Sequence, residues 1–340
     1  MLYNLHLLRV IAALGVVYFH TTSAAGLGLD WDVGSRGVDV FFVISGFIIA
    51  YIGTSKPDEF FRRRLIRVVP FYWAATLVVF CAAAALPHLF RTTTASVPHL
   101  IASLLFVPRL APNGEMQPTL LLGWSLNFEM LFYVVFALAL AWSPRRAPLW
   151  AVAVLAPYVV IAQALGVTQP ILAFYARPIV LEFCYGIGAF YLFQWASARA
   201  RALASVPGLR VALVVVLVGN LVLLNVLEEY YREALPRYLA AGIPSFFIVA
   251  SALLLERLYG LASKNKLIFL LGESSYIIYL VHPYIVFTVL RVLVRDAHHL
   301  PAPLLAGLIV GLLALTSAIS IAIHLAFEKP AMAYLRARLL

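Results

Sequence analysis

Arg9 and His20 stand eleven residues apart in an otherwise apolar run, NLHLLRVIAALGVVYFH. Eleven steps of ~100° come to within about 20° of three full turns, so on a helix the two side chains share one face, roughly 16 Å apart along its axis. An imidazole can take a proton from a hydroxyl, and a guanidinium can hold an anion. Asp39 opens the next apolar run, VDVFFVISGF; Glu129 and Glu182 lie one to two turns into later runs, and His282 lies halfway along another, in front of Pro283. Counting depth puts His20, Asp39, Glu129 and Glu182 in one layer of a bundle, with His282 reaching that layer from the other side. One imidazole among carboxylates suits general-base activation of a hydroxyl, because neighbouring charges set its pKa and orient it. Two structural readings compete: the carboxylates as ion-pair partners of Arg36 or Arg177, and the first run as a snorkelling arginine with a hydrogen-bonded core histidine.

A second group has the opposite sign. In KPDEFFRRRLIRVVPFYW, Arg63, Arg64 and Arg67 introduce the third apolar run, with Arg64 and Arg67 one helical turn apart. Adjacent guanidinium forks fit a phosphate or pyrophosphate; topological retention or anionic lipid would also place arginines there. An anion site on one side of a bundle, a histidine and carboxylate site on the other and a polar helix face between them suit vectorial group transfer. A phosphorylated donor would enter from the cytoplasm and an acceptor hydroxyl would be met near the outer surface. A transporter or flippase is the alternative, since charge across a bundle also suits alternating access. Signatures of nucleotide hydrolysis (GxxxxGK[ST]), of a serine elbow (GxSxG) and of a zinc protease (HExxH) are absent, as is HxxxxD. Cys81 and Cys184 have no metal-ligand spacing, and no metal is expected.

The elements that must position these groups are membrane helices. Of 340 residues 64% are apolar and 12% charged, with a mean hydropathy of +0.95, which no ordinary soluble domain matches. The expectation is an all-α polytopic membrane protein. A span needs ~20 apolar residues, and about ten candidates occur, near 5–22, 36–53, 68–86, 124–142, 148–166, 178–195, 210–227, 239–255, 267–293 and 303–326. No polar stretch between them is long enough for a soluble domain, so residues 1–340 read as one transmembrane domain. With both termini cytoplasmic, sixteen of the 25 basic residues fall on the inner side, as the positive-inside bias requires. The net charge of +10 thus follows topology, and nucleic acid is not an expected partner. His324 and Glu328, one turn apart near the end of the last span, read as structural.

At this point the runs resemble a known family. NLHLLRVIAALGVVYFH, GSRGVDVFFVISGF, FFRRRLIRVVPFYW, WSLNFEMLFY, EFCYGIGAF, GESSYIIYLVHP and FEKP resemble, in order and spacing, successive blocks of the acyltransferase-3 family of integral-membrane O-acyltransferases. The resemblance covers nearly the whole chain and is strongest to short members that decorate exopolysaccharides and lipopolysaccharides. It implies about ten spans in a bacterial cytoplasmic membrane and transfer of an acyl group, commonly acetyl, from acyl-coenzyme A to a hydroxyl of a carbohydrate or lipid-linked saccharide. It implies His20 as general base or transient acyl carrier, Arg9 as its partner, Glu129 as a site carboxylate and Arg64 and Arg67 as donor-binding residues; Arg63, of the same cationic run, is expected to join the donor site, and Glu182, Tyr279 and His282 are possible acceptor or supporting residues.

The block WSLNFEMLFY departs from many members at Phe128 and Met130 but keeps Glu129. Larger members carry an extracytoplasmic hydrolase-like domain; without one, transfer is expected to finish in the bundle or on a partner. Asp39 is expected beside His20, fixing the imidazole tautomer, in a site enclosed because Gly34, Gly37 and Gly46 allow close helix approach. Trp31, Phe174, Tyr175, Tyr230 and Tyr231 are candidates for stacking on sugar rings, although aromatic residues are expected at a membrane interface in any case.

Overall fold

The computed structural model describes residues 2–26, 34–90, 93–111, 114–231, 235–292, 294 and 297–340. Among the described residues the chain is helical, with one isolated bridge between Leu110 and Met116. In chain order the α-helices are α1 (Tyr3–Ala24), α2 (Gly37–Ser55), α3 (Phe60–Ala85), α4 (Val97–Leu104), α5 (Trp124–Trp142), α6 (Ala147–Ala164), α7 (Pro170–Tyr175), α8 (Leu181–Ala198), α9 (Ala200–Ala204), α10 (Leu209–Tyr231), α11 (Ile243–Tyr259), α12 (Lys266–Val292), α13 (Ala302–Ile323) and α14 (Lys329–Leu339). Among the described residues ten helical stretches are long and apolar enough to cross a membrane, matching the expected count, and the protein is a multi-pass membrane protein. Helices are the natural solution, since hydrocarbon offers no partner to a backbone N–H or C=O and a helix satisfies both internally.

Two features shape the helices locally. The third span starts at Phe60 rather than near residue 68, so Arg63, Arg64 and Arg67 are helical residues and not part of a preceding loop. Two π-helical turns, Tyr238–Gly242 and His324–Glu328, each end two residues before a proline, Pro244 and Pro330. A proline cannot donate to the carbonyl four residues back; in both cases that carbonyl lies inside the turn, and the register slips there by one residue.

The helices group into two compact units, each drawing on separated parts of the chain. One comprises residues 1–48 and 185–324. Its middle is α1, which packs along α12 and touches α11 and α13. Close approach is possible because small residues face the neighbour: a Cβ on Gly272 of α12 would press into the backbone of His6, and one on Gly37 into the Ala12 carbonyl. Gly34, at a φ of +90°, lies against Gly15, and Gly46 lies against Gly186 of α8, so the expected glycine contacts are present. Ala13 and Val17 of α1 are buried with Ile278 and Val286 of α12 and Leu312 of α13. In lipid such contacts stabilise through packing rather than water exclusion. The start of α1 is held by α11: Glu256 accepts from the backbone N–H groups of Tyr3 and Asn4, both at 2.8 Å, which satisfies two of the donors a helix N-terminus leaves open. Along α10 the side chains of Val211, Val215, Val218 and Val222 are exposed, as on a helix that faces lipid.

The other unit comprises residues 49–184 and 325–340. Here α3 touches α4, α5 and α14, α5 packs on α6, and α6 touches α7. Its core is aromatic: Phe128 stacks on Phe174 and Phe132 on Phe183, each pair with ring centroids 4.5 Å apart, and Phe60 tilts against Phe136.

Candidate active site

In the unit built on α1, His20 of α1 meets His282 of α12. The Nδ1 of His20 lies 3.0 Å from the Val16 carbonyl and 3.1 Å from the Nε2 of His282. The Nδ1 of His282 lies 3.0 Å from the Ile278 carbonyl, one turn back on its own helix. The ring centroids are 4.9 Å apart. His282 is fully buried, whereas His20 keeps part of its surface open. The expectation that His282 reaches the layer of His20 is met, by direct contact. Toward the start of α1, Arg9 donates from Nε to the Ser275 hydroxyl at 3.0 Å, and Ser275 in turn donates to the Gly272 carbonyl. Arg9 and His20 therefore both address α12, as their shared helix face requires. Tyr279 lies on the same stretch of α12, its ring 6.3 Å from His282 and 6.0 Å from Phe41 of α2.

Asp39 is placed differently from the sequence expectation. Its two carboxylate oxygens accept from Nε and Nη2 of Arg237, both at 2.8 Å, in a bidentate pair. The contacts of His20 are with Val16, Phe19 and His282, and not with Asp39. The physical reason is the fork geometry of Arg237: two parallel charge-assisted hydrogen bonds occupy the carboxylate and compensate its burial, complete at 0% exposure for Asp39 against 36% for the arginine. Asp39 also stands in the first turn of α2, where the helix dipole favours an anion.

In the other unit, Arg67 of α3 donates to Glu328 at 2.8 Å, ahead of α14, and Arg62 pairs with Glu59 at 3.1 Å. Arg64 is unlike both. Its Nε is buried without a hydrogen-bond partner among the described residues, its guanidinium carbon lies 5.7 Å from the Phe60 ring centroid, and its electrostatic neighbours are Tyr133, Glu129, Arg67 and Arg336. The Arg63 side chain makes no ion pair or hydrogen bond among the described residues, while its backbone N–H donates to the Glu59 carbonyl at 2.9 Å. Glu129 of α5 accepts a short hydrogen bond from the Tyr133 hydroxyl, one turn along the same helix. Glu129 thus shares its surroundings with an arginine that depth counting assigned to the opposite layer. Glu182 is fully buried in the first turn of α8. His324, of the first unit, lies 3.9 Å from Glu273, and Glu328 is taken up by Arg67, in keeping with structural roles for both. Among the described residues no group of three His, Cys, Asp or Glu side chains is placed to hold a metal ion.

Of the candidate sugar-stacking aromatics, the described side chains of Phe174 and Tyr175 pack edge to face with ring centroids 5.4 Å apart. Phe174 is buried against Phe128, and Tyr175 donates to the Phe106 carbonyl at 3.1 Å and sits edge-on to Phe128. Trp31 and the side chains of Tyr230 and Tyr231 lie outside the described residues. The stack also accounts for Phe128 before Glu129: it is a packing residue. Three residues that sequence reasoning passed over take part in the polar groups. Tyr133 had a signal, its position four residues after Glu129. Arg237 and Glu256 had none, since their partners are distant in the chain.

Comparison with known proteins adds a lineage to this geometry. The profile of an acyltransferase domain matches residues 2–323. The exopolysaccharide production protein ExoZ of Rhizobium meliloti is 37% identical over 329 residues, 94% of this chain and 96% of that protein. The O-acetyltransferase OatA of Staphylococcus aureus is 30% identical over 165 residues, which are 41% of this chain and 24% of OatA. The acyltransferase MdmB of Streptomyces mycarofaciens is 32% identical over 119 residues, 31% of this chain and 28% of MdmB. No solved structure matches the chain significantly. With the family signature over nearly all its length and one relative aligned end to end, the chain belongs to the acyltransferase-3 family of membrane acyltransferases.

Proposed function

We propose that the protein is an O-acyltransferase of a bacterial cytoplasmic membrane, which moves an acyl group, acetyl before others, from cytoplasmic acyl-coenzyme A to a hydroxyl of a cell-surface or exported carbohydrate. The observation that carries the substrate class is the end-to-end likeness to an exopolysaccharide production protein; the likeness of part of the chain to the O-acetyltransferase OatA favours acetyl. The whole chain, 1–340, acts as one transfer domain with both termini cytoplasmic.

In this reading His20 takes the proton of the acceptor hydroxyl, the oxygen bonds to the thioester carbonyl carbon and the carbon–sulfur bond breaks. The departing thiolate collects the proton, so the reaction is neutral overall. If the acyl group rests on the imidazole on the way, the same lone pair serves as nucleophile. Arg9 stabilises the site from the same face of α1, and Glu129, hydrogen-bonded to Tyr133, serves as a carboxylate beside Arg64. Arg63, Arg64 and Arg67 bind the phosphates of the donor, where an arginine fork with unused N–H groups is most useful. Asp39 acts through Arg237, while Glu182 and Tyr279 support the acceptor side.

The test is mass analysis of surface glycans and glycolipids from cells expressing the wild type, His20→Ala or an empty vector at matched protein levels. An acyl mass increment is expected with the wild type alone, general-base loss costing ~100-fold or more. Identical glycans from wild type and His20→Ala, in a host that supplies the acceptor, would overturn the reading.

A further inference from the structure

Three of the four ring nitrogens of the histidine pair, all but His20 Nε2, face either a group that can only accept or the other ring. His282 Nδ1 is 3.0 Å from the Ile278 carbonyl, and the Tyr279 carbonyl also faces this ring. Pro283 has no N–H to give to the Tyr279 carbonyl, so that carbonyl is left over to face the same imidazole ring. A carbonyl cannot donate, so His282 carries its proton on Nδ1 and presents a bare Nε2. That bare nitrogen lies 3.1 Å from His20 Nδ1, which also faces the Val16 carbonyl at 3.0 Å. Both partners of His20 Nδ1 are then acceptors. The proton of a neutral His20 must sit on Nδ1, shared between them, and its Nε2 must hold the lone pair.

We infer that His282 is a positioning residue: it locks His20 in the Nδ1–H tautomer and so makes Nε2 the reacting nitrogen. This rests on the proposed role of His20 and goes further, because it names the atom that meets the acceptor hydroxyl and the side chain that sets it. Without the second ring, the Val16 carbonyl alone would hold His20 Nδ1, and rotation of the imidazole would exchange the two nitrogens at the reacting position. A lone pair in the wrong place leaves substrate binding intact while slowing the chemical step. It also explains why a fully buried histidine stands beside a partly open one: the buried ring keeps a fixed neutral tautomer with every polar atom engaged.

The experiment compares His282→Leu, which removes the acceptor at similar volume, with His282→Gln, whose amide oxygen reaches the position of Nε2 and can accept from His20 Nδ1–H. Acyl transfer is measured in membranes containing matched amounts of folded protein. His282→Leu is expected to lower kcat by about 10–100-fold with the acceptor KM unchanged, and His282→Gln to stay within about fivefold of wild type. Full kcat in His282→Leu, or equal losses in both variants, would overturn the inference. His20→Ala is run beside them: full activity there sinks the reading of His20 itself, whereas an inactive His20→Ala with a fully active His282→Leu sinks only the role of His282. Should His282→Leu fail to fold, nitrogen-15 spectra of histidine-labelled wild type decide, with the His20 signals identified by their loss in His20→Ala. The expected spectrum has His20 protonated on Nδ1; protonation on Nε2 overturns the inference.

Discussion

In the unit built on α1, the polar groups around His20 and Asp39 are directly paired: Asp39 with both arms of Arg237, Arg9 with Ser275, one histidine ring with the other. In the unit built on α3, positive charge runs ahead of its partners. Arg62 and Arg67 have carboxylates, while Arg63 and Arg64 have none within ion-pair distance among the described residues, and the Arg64 Nε is buried without a hydrogen bond. Buried donors are nearly always paired, and the Arg64 N–H left over here suits the anion-holding role proposed for it. What each region leaves over is therefore of opposite kind, a lone pair on His20 in one and N–H groups on arginine in the other. The first suits taking a proton and the second suits holding an anion.

The comparison can be broken at either end. Arg64→Ala combined with Arg67→Ala should have the largest effect, raising the KM for acyl-coenzyme A by about 30-fold or more, since hydrogen bonds to charged groups contribute ~1.5–3 kcal/mol each, with kcat changed by less than about threefold. An unchanged KM in membrane assays would reduce these residues to topological or lipid-binding charges. Asp39→Asn should fall next: one charge of a bidentate pair is lost, at a cost of ~2 kcal/mol, seen as a lower melting temperature in detergent. Transfer per folded molecule should stay within about threefold, and a large loss of kcat at unchanged stability would return Asp39 to the chemistry. Glu256→Gln should be the mildest, about 1 kcal/mol for a weakened helix cap, with full transfer activity; a strong activity loss would mean that the seating of α1 governs His20 more tightly than the packing suggests.

How much of this was legible depends on distance along the chain. Helices, their number and the common face of Arg9 and His20 follow from periodicity within one segment, and the contact of both residues with α12 bears that out. Pairing between segments is another matter. Asp39 and Arg237 are 198 residues apart and His20 and His282 are 262 apart, and no local pattern states which of several arginines or histidines will arrive. The expectation for Asp39 went to the nearer histidine because depth was the only coordinate the sequence supplied; the fork of Arg237 decided otherwise. Arg64 shows the same limit, since depth counting assigned it to the inner layer opposite Glu129, whereas α3 begins at Phe60 and carries it to Glu129 and Tyr133.

The distance between His20 and His282 also has a meaning in time. At roughly 5–20 residues per second, synthesis of the intervening 262 residues takes about 13–50 s, during which α1 has left the ribosome before α12 exists. Through that interval Arg9, His20 and the open N-terminus of α1 have neither Ser275, His282 nor Glu256 to meet. An ionisable group on a lone helix in lipid is costly, by ~2.5 kcal/mol or more, so the newborn helix must wait at the insertion machinery, beside a chaperoning neighbour or near the interface. Chains cut short before α12 should consequently be the ones the cell removes, whereas the finished protein closes its first helix with almost its last.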